Sequence, residues 1–387
     1  MPKYYIGLMS GTSIDGMDGC ICDFENGVQM LAKASRRWEP EEAALLHSLC
    51  QKSDDELEKS GEAANLIARA SACVVSTLLE KTSLKSEDII AIGSHGQTVR
   101  HRPQRAYSIQ LDNAPMTAHL CNIDTVSNFR SADLAAGGEG APLTPIFHSH
   151  MFKDEKRSRY VLNLGGIANL TVMRPQGEIL CGFDCGPANT LSDLSCRLLL
   201  NQSFDKDGAC AYRGQIRMEW LSDFLRHPFL QKEPPKSTGR EDFNADYIRE
   251  YLLLCTQKRE LIYDLIATLD EFTVLACVNA IRHMRYKYNL PAGDLLLCGG
   301  GALNPYIVER FKYHLAHDEI EVLKTSDFGV DVSILEAQSF AYFAKAYVEA
   351  TPLDLKNITG SKSLVILGEM ALALNGHYRR SIHGNGV

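Results

Sequence analysis

The chain has 387 residues, of which 45% are hydrophobic and 23% are charged. This length exceeds one ordinary core and fits two domains of common size, and the residue balance is that of a globular protein. The formal net charge of -8 argues against a general nucleic-acid-binding or anionic-membrane surface. The net charge does not exclude an anionic ligand, because a phosphate site uses local backbone N–H groups.

The lack of a recognisable targeting signal and the scattered cysteines predict a cytoplasmic protein. The N-terminal residues lead directly into a strand-like run and lack the apolar core and cleavage site of a signal peptide. No apolar run reaches the roughly 18 residues of a membrane span. The twelve cysteines are scattered and form no C-x2-C pair of the zinc-ribbon kind. We therefore expect reduced, packed thiols, and neither a membrane nor a nucleic acid among the partners.

A strand-like run followed by a glycine-rich turn occurs three times. After the first two turns, apolar residues resume with strand character, which predicts hairpins, whereas a helix-like run follows the third. Because the two hairpins start about one domain length apart, we predict an α/β fold built from two duplicated domains. The runs and their turns are residues 4–9 with 10–13, residues 160–164 with Gly165 and Gly166, and residues 295–298 with Gly299, Gly300 and Gly301.

Helical periodicity and one polar run predict the rest of the organisation. Apolar residues at i/i+4 spacing predict helices at 62–79, 264–285 and 332–348. The polar run at 153–157 predicts a domain boundary. The resulting domains are an N-terminal α/β domain over 1–155, which contains the first hairpin, and a C-terminal α/β domain over 156–387, whose final helix or tail can pack back on the first domain.

The first turn has the composition of a phosphate-binding loop. Glycines let the backbone approach a phosphate, hydroxyls and N–H groups can face the anion, and carboxylates can act on a metal or water. The alternative is a tight hairpin turn with solvated polar side chains. A P-loop is excluded, because the Gly-Lys-Ser/Thr ending is missing. The residues are Gly11, Thr12, Ser13, Asp15, Gly16 and Asp18.

Two further polar segments follow predicted strands, where α/β proteins place ligands. His95 and Gln97 follow the apolar strand at 89–93. His95 is either a substrate contact or a structural histidine in a surface turn. Asp184 lies on a predicted turn after a later strand. There it can deprotonate a hydroxyl or water, or it can cap the helix that follows.

Charged residues in two loops and one helix complete the candidates. Arg130 and Asp133 precede a glycine-rich loop, and Arg240 lies in a second polar loop. Either arginine can make bidentate contacts with a sugar or its carboxylate, or belong to an ordinary loop. Glu336 lies among apolar residues on the predicted helix at 332–348, so it is half-exposed or paired, and Mg²⁺ or its water shell is a suitable partner.

Taken together and in this order, these segments resemble one family, anhydro-N-acetylmuramic acid kinase, over nearly the whole chain. The combined motifs are far more specific than any single glycine-rich loop. The matching stretches are Ser10-Gly11-Thr12-Ser13-Ile14-Asp15-Gly16-Met17-Asp18 with the strand before it, and residues 93–98, 135–143, 163–171, 182–189, 207–209, 235–241, 299–304, 325–327 and 359–360.

The resemblance implies a fold, a reaction and an assembly. The fold is that of the actin, Hsp70 and hexokinase group, with two duplicated α/β domains and a cleft between them. The reaction uses ATP and Mg²⁺ to phosphorylate 1,6-anhydro-N-acetylmuramic acid while water opens its anhydro ring, which gives N-acetylmuramic acid 6-phosphate. The implied role is peptidoglycan recycling in the cytoplasm, by a homodimer.

Carried over residue by residue, the resemblance also implies roles. Asp184 matches the catalytic base that takes a proton from water, and Glu336, with Asp184, matches the Mg²⁺ site. His95, Gln97, Arg130 and Asp133 fall on the sugar side. The implied ATP-binding residues are the six of the first turn together with Gly165, Gly166, Gly299, Gly300 and Gly301.

The chain departs from the usual family pattern at several positions. Asp112-Asn113-Ala114 stands where Gly-Asp-Pro is usual, and Asn128, Cys185 and Ala188 replace a usual aspartate, threonine and glycine. The first turn and Asp184 are intact. Two alternative functions remain: a levoglucosan-type anhydrosugar kinase, and a non-catalytic nucleotide-binding protein of the same fold.

Overall fold

The structure is a computed structural model that describes residues 3–11, 13–25, 27–239 and 242–378. The chain folds into two compact units, Met1–Phe147 with Ile334–Val387, and His148–Ser333. The first division falls inside a helix, Thr144–Phe152, and the segment from Ile334 onward belongs to the first unit. The predicted boundary at 155/156 falls instead in the loop between that helix and the next strand.

The described residues contain twelve strands and twelve α-helices. The strands are β1 (Tyr4–Ser10), β2 (Gly16–Asp23), β3 (Gln29–Arg37), β4 (Ile89–Arg102), β5 (Tyr107–Leu111), β6 (Thr125–Ser127), β7 (Ser158–Leu164), β8 (Ile167–Met173), β9 (Ile179–Pro187), β10 (Gly293–Cys298), β11 (Ile320–Lys324) and β12 (Glu369–Ala371). The helices are α1 (Pro40–Leu49), α2 (Glu56–Thr82), α3 (Ala114–Cys121), α4 (Ser131–Ala135), α5 (Thr144–Phe152), α6 (Thr190–Ser195), α7 (Met218–Leu225), α8 (Arg249–Gln257), α9 (Ile262–Tyr288), α10 (Pro305–Leu315), α11 (Leu335–Val348) and α12 (Lys356–Thr359).

Each unit is built around one sheet, and the two sheets repeat one topology. In the first unit the strand order is β12-β6-β4-β1-β2-β3, with β5 paired to β4. In the second unit the order is β11-β10-β7-β8-β9. Both contain three antiparallel strands in sequence, a fourth strand parallel to the first, and a fifth parallel to the fourth. The predicted duplicated α/β fold and both predicted hairpins are therefore confirmed.

Helices α2 and α11 cover opposite faces of the first sheet. Gly7 and Gly93 are register partners on β1 and β4. A Cβ atom at Gly7 would lie 1.8 Å from the Ala337 carbonyl oxygen, and one at Gly93 would lie 2.1 Å from the Phe340 carbonyl oxygen. The α11 backbone thus rests directly on the sheet, which only glycine permits. This contact sets the position of Glu336 in the first turn of α11.

Helix α2 is long and apolar enough to cross a membrane by length and composition. Polar and charged residues interrupt its apolar positions, so it contains no continuous apolar run of that length. Its buried residues, among them Leu66, Ile67, Val74 and Leu78, belong to the same apolar cluster as Ile6 and Leu8 of β1. A core helix packed in this way passes the same test of length and composition as a membrane span.

Two predicted turns are parts of strands. Residues 94–98 continue β4, which runs to Arg102 and pairs there with β5. Asp184 lies within β9, opposite Asn169 of β8, and the N-cap residue of the helix that follows is Asn189. Both segments have glycine and polar residues, which are typical of turns, but hydrogen bonds to the neighbouring strands keep them extended.

Candidate active site

Side chains from two strands fix the start of the β1–β2 turn. The Ser10 hydroxyl donates to Gln97 Oε1 at 2.6 Å and lies 3.0 Å from the Gly16 carbonyl oxygen. Gln97 Nε2 donates to the carbonyl oxygens of Gly11 and Thr98 at 3.2 and 3.3 Å. Ser10 and Gln97 are both buried. The predicted phosphate turn is therefore anchored to β4 by side-chain hydrogen bonds.

The polar side chains of this turn differ in exposure. Ser13 and Asp15 are exposed, Asp18 is half-buried, and Thr12 lies outside the described residues. Asp18 accepts a hydrogen bond from the Ser35 hydroxyl at 2.6 Å. Burial raises the pKa of Asp18, the Ser35 hydroxyl lowers it, and the Asp15 charge raises it. An anchored backbone with exposed hydroxyl and carboxylate groups suits a phosphate with its metal.

Buried His95 and half-buried Arg130 form a hydrogen-bonded pair. The distance from His95 Nε2 to Arg130 Nη2 is 2.8 Å, and Nδ1 lies 3.0 Å from the Gly96 carbonyl oxygen. Burial first, and then the Arg130 charge, lower the pKa of His95 to about 3. A neutral ring that donates through Nδ1 and accepts through Nε2 satisfies both contacts. Of the alternatives above, the surface turn is wrong, because His95 is only 3% exposed.

The Nε–H group of Arg130 is available for a further hydrogen bond. Its Nη1 donates to the Gly140 carbonyl oxygen at 2.7 Å, whereas its buried Nε has no hydrogen-bond partner among the described residues. Burial lowers the pKa of Arg130 to about 10, and the charges of Glu336 and Asp133 raise it. The guanidinium stays charged, and its Nε–H can donate a hydrogen bond to an anionic or hydroxyl ligand.

Glu336 is a half-buried carboxyl without a hydrogen bond or an ion pair to any described residue. Burial raises its pKa, the Arg130 charge lowers it, and the Asp18 charge raises it. Such a carboxylate fits a cation as its missing partner. No group of three or more histidine, cysteine or acidic side chains with metal-binding geometry occurs in the described ranges. Mg²⁺ does not need one, because it keeps waters and uses one or two carboxylates with the substrate phosphates.

Asp133, which is predicted to bind substrate, has a structural role in the glycine-rich loop. It is fully buried, and its oxygens accept hydrogen bonds from the Gly140 N–H at 2.7 Å and the Thr359 hydroxyl at 2.6 Å. The Glu139 N–H in turn donates to the Thr359 carbonyl oxygen. Asp133 therefore fixes the glycine-rich loop, and its contact with substrate stays a prediction.

In the second unit, Asp184 is held by two neutral donors. Asn169 Nδ2 donates to Oδ1 at 2.9 Å, and the Thr238 N–H donates to Oδ2 at 3.0 Å. The side chain is half-buried. These donors stabilise the carboxylate and fix its orientation. Lys236, on the same loop as Thr238, directs its ammonium group to the Phe229 and Leu230 carbonyl oxygens. The predicted contribution of Arg240 lies outside the described residues.

Asp184 ends a row of polar side chains across the sheet. Register pairs Cys298 with Asn163, Asn163 with Asn169, and Asn169 with Asp184. Directly paired residues point to the same face of a sheet. Asn163 and Asn169 are both half-buried, as Asp184 is. The row leads from the predicted base toward the third glycine turn.

Asn189 joins the turn at Gly165 to the end of β9. Its Nδ2 donates to the carbonyl oxygens of Leu164 and Gly165 at 2.8 and 2.7 Å, and its backbone N–H donates to Gly165 at 3.0 Å. Gly299, at φ +79°, leaves only 2.4 Å between a Cβ atom and Asn163 Oδ1. Asparagine side chains therefore link the glycine turns at Gly165 and Gly299. Close packing of two glycine turns exposes backbone without side chains, which suits a predicted nucleotide site.

Sequence reasoning missed the residues that hold this site together. Asn163 and Asn169 lie three residues before and three residues after Gly166, so hairpin pairing alone could have placed them together. The contact of Asn169 with Asp184 depends on a bulge between Ala168 and Asn169, which no local pattern signals. Ser10 and Asn189 lie in stretches that match the family, but nothing in the sequence indicated their hydrogen bonds.

Comparison with known proteins identifies the family. The family model described as anhydro-N-acetylmuramic acid kinase matches residues 3–373. The chain is 41% identical to the anhydro-N-acetylmuramic acid kinase of Bordetella pertussis, covering 95% of this chain and 96% of that protein. It is 38% identical to the enzyme of that name from Coxiella burnetii, with 95% and 97% covered.

Similarity to solved structures is weaker. An activator of 2-hydroxyisocaproyl-CoA dehydratase from Clostridium difficile, with bound ADPNP, shares 12% identity at a TM-score of 0.47, over 91% of this chain and 99% of that one. A TM-score at this level supports no argument about this chain. The sequence relatives are decisive, and the prediction of a phosphotransferase is confirmed. The chain belongs to the anhydro-N-acetylmuramic acid kinase family.

Proposed function

We propose that this kinase phosphorylates 1,6-anhydro-N-acetylmuramic acid at O6 and opens the anhydro ring with water. The product is N-acetylmuramic acid 6-phosphate, and the role is peptidoglycan recycling in the cytoplasm. The observation that supports the chemistry best is Asp184, a half-buried carboxylate oriented by Asn169 and Thr238. Family membership supports the substrate.

Asp184 is the proposed general base. One carboxylate oxygen takes a proton from water, and the water oxygen attacks C1 of the sugar. The C1–O6 bond breaks and its electron pair stays on O6. O6 then bonds to the γ-phosphorus of ATP while the bond from that phosphorus to the β-phosphate oxygen breaks and ADP leaves. Asp184 releases its proton to solvent after the product departs.

The remaining residues bind and orient the reactants. The turn with Gly11, Ser13 and Asp15 is proposed to hold the phosphates of ATP, supported by the anchoring of that turn to β4. The free Nε of Arg130 is proposed to face the sugar, with neutral His95 fixing the guanidinium.

Glu336 and Asp184 are the proposed ligands of Mg²⁺, and the pKa of Glu336, raised mainly by burial, is in keeping with a carboxylate that lacks a bonded counter-charge. When bound, Mg²⁺ neutralises charge on the phosphate oxygens.

Four of the departures from the family pattern have local explanations, which favour an unchanged substrate. Asn113 caps α3 by accepting from the Met116 N–H at 3.1 Å, a task in which asparagine and aspartate are equivalent. Asn128 adopts φ +52°, a left-handed conformation that asparagine tolerates well. Cys185 and Ala188 are buried apolar residues of the second core.

A coupled assay of ADP release tests the proposal. With ATP and Mg²⁺, we expect turnover of 1,6-anhydro-N-acetylmuramic acid and at least 100-fold lower kcat/KM for levoglucosan, since a site built for polar substituents leaves its groups unpaired with the smaller sugar. The opposite preference would assign a levoglucosan-type kinase, and turnover of neither sugar would leave a nucleotide-binding protein. Light scattering on the same sample tests the homodimer that we propose from the family.

A further inference from the structure

Gln97 is buried between the first turn and the strand that also bears His95. Its side chain has no exposed surface. Register pairs Ser10 with Gln97 at a shift in the β1–β4 ladder, where the strands begin to separate. The amide of Gln97 therefore replaces the backbone pairing that is lost there.

The hydrogen bonds also fix which way the amide points. Nε2 faces two carbonyl oxygens, those of Gly11 and Thr98, which can only accept. Oε1 faces the Ser10 hydroxyl, which can donate. The reverse orientation would set Oε1 against two acceptors. Both amide N–H groups and the amide oxygen are thus used inside the protein.

We propose that Gln97 is a positioning residue that sets the Ser10–Gly11 backbone for the phosphates of ATP and does not touch the sugar. This corrects its predicted place among the sugar contacts and rests on the proposed kinase function. Every polar atom of Gln97 has a protein partner and none is exposed, so none is left for a ligand. His95, two residues earlier on β4, is instead bonded to Arg130 and belongs to the sugar-side group.

The proposal predicts that substitution of Gln97 raises KM for ATP but leaves KM for the anhydrosugar nearly unchanged. Gln97→Glu keeps the shape but replaces the donating nitrogen with an oxygen facing two carbonyl oxygens. Gln97→Met has similar volume and makes none of the three bonds. Loss of a buried hydrogen bond with its partner left unpaired corresponds to roughly 5- to 100-fold. We expect KM for ATP to rise about tenfold or more in both variants, while KM for the anhydrosugar stays within about twofold of wild type.

A binding measurement separates this proposal from the proposed function. Calorimetric titration with adenylyl-imidodiphosphate needs no turnover, and its Kd should rise by the same factor as KM for ATP. If wild-type protein fails to turn over the anhydrosugar but binds the analogue and Gln97→Glu does not, the function is wrong and the positioning role stands.

Two further variants control for folding and for charge. Ser10→Ala breaks the same contact from the other side and should raise KM for ATP about three- to tenfold. Gln29→Glu makes the same chemical change at an exposed position on β3 and should leave both constants unchanged. A raised KM for the sugar with normal KM for ATP would overturn the proposal, as would normal constants in a correctly folded Gln97→Met protein.

Discussion

Replacing Asp184 with asparagine removes the proposed base while keeping the shape of the side chain. The carboxylate accepts from Asn169 Nδ2 and from the Thr238 N–H. A carboxamide has one oxygen, so one donor must face the new NH2 group. At a half-buried position this costs about 1 kcal/mol of unfolding free energy, or about 2–4 °C in Tm for a domain of this size. Loss of a general base lowers kcat by roughly 10²- to 10⁴-fold.

Two measurements on Asp184→Asn, of kcat and of Tm, separate loss of the base from loss of stability. Coupled ADP release should fall by at least 100-fold, while Tm changes by only a few degrees and the ATP analogue still binds. Asp246→Asn, the same change at an exposed position in the second unit, should keep full activity. Asp184→Asn protein with near wild-type kcat would refute the assignment of the base. A fall in activity that only matches a loss of folded protein would refute it as well.

Three further predictions concern support of the site and stability. Asn169→Leu removes the donor to Asp184 at similar volume, so kcat should fall about tenfold with both KM values unchanged, whereas a change confined to KM would contradict its role in orienting the base. Gly7→Ala places a methyl group 1.8 Å from the Ala337 carbonyl oxygen and should lower Tm by several degrees or prevent folding; a wild-type melting curve would show that α11 does not rest on β1 as described. Burial raises the pKa of Asp270 from 3.8 to about 8, so the folded protein holds a proton that the unfolded chain releases, and unfolding free energy falls as pH rises between about 4 and 8. Asp270→Asn should therefore be more stable than wild type near pH 8 and similar near pH 4 in denaturant titrations, and a gain of equal size at both pH values would contradict this titration.

Local patterns predicted the fold better than they predicted the site. The hairpins at Gly11 and Gly165 followed from apolar runs around glycine turns, and their repetition indicated the duplication that the two sheets display. The segments at His95 and Asp184 have the glycines and polar residues of turns but are strands, because pairing with neighbouring strands overrides local propensity.

Side-chain roles depended on contacts between distant segments. Asp133 and Gln97 have the residue types of ligand contacts, yet Thr359 and Ser10 engage them inside the protein. The Asp133–Thr359 bond joins residues on opposite sides of the second unit in the sequence, so no spacing rule could predict it. The roles of Asp184 and Glu336 stay predictions, and only the structure shows the Asn169 donor to Asp184 and the effect of the Arg130 charge on Glu336.

The central claim is that one reaction couples attack of water at C1 to phosphorylation at O6. Mass spectrometry of the product formed from 1,6-anhydro-N-acetylmuramic acid and ATP in ¹⁸O-labelled water tests it directly. Unlabelled product kept in the same water for the same time controls for exchange at the anomeric carbon. The account predicts N-acetylmuramic acid 6-phosphate with one ¹⁸O atom at C1 and none in the phosphate. A phosphorylated sugar that retains its anhydro ring, or label in the phosphate, would contradict it.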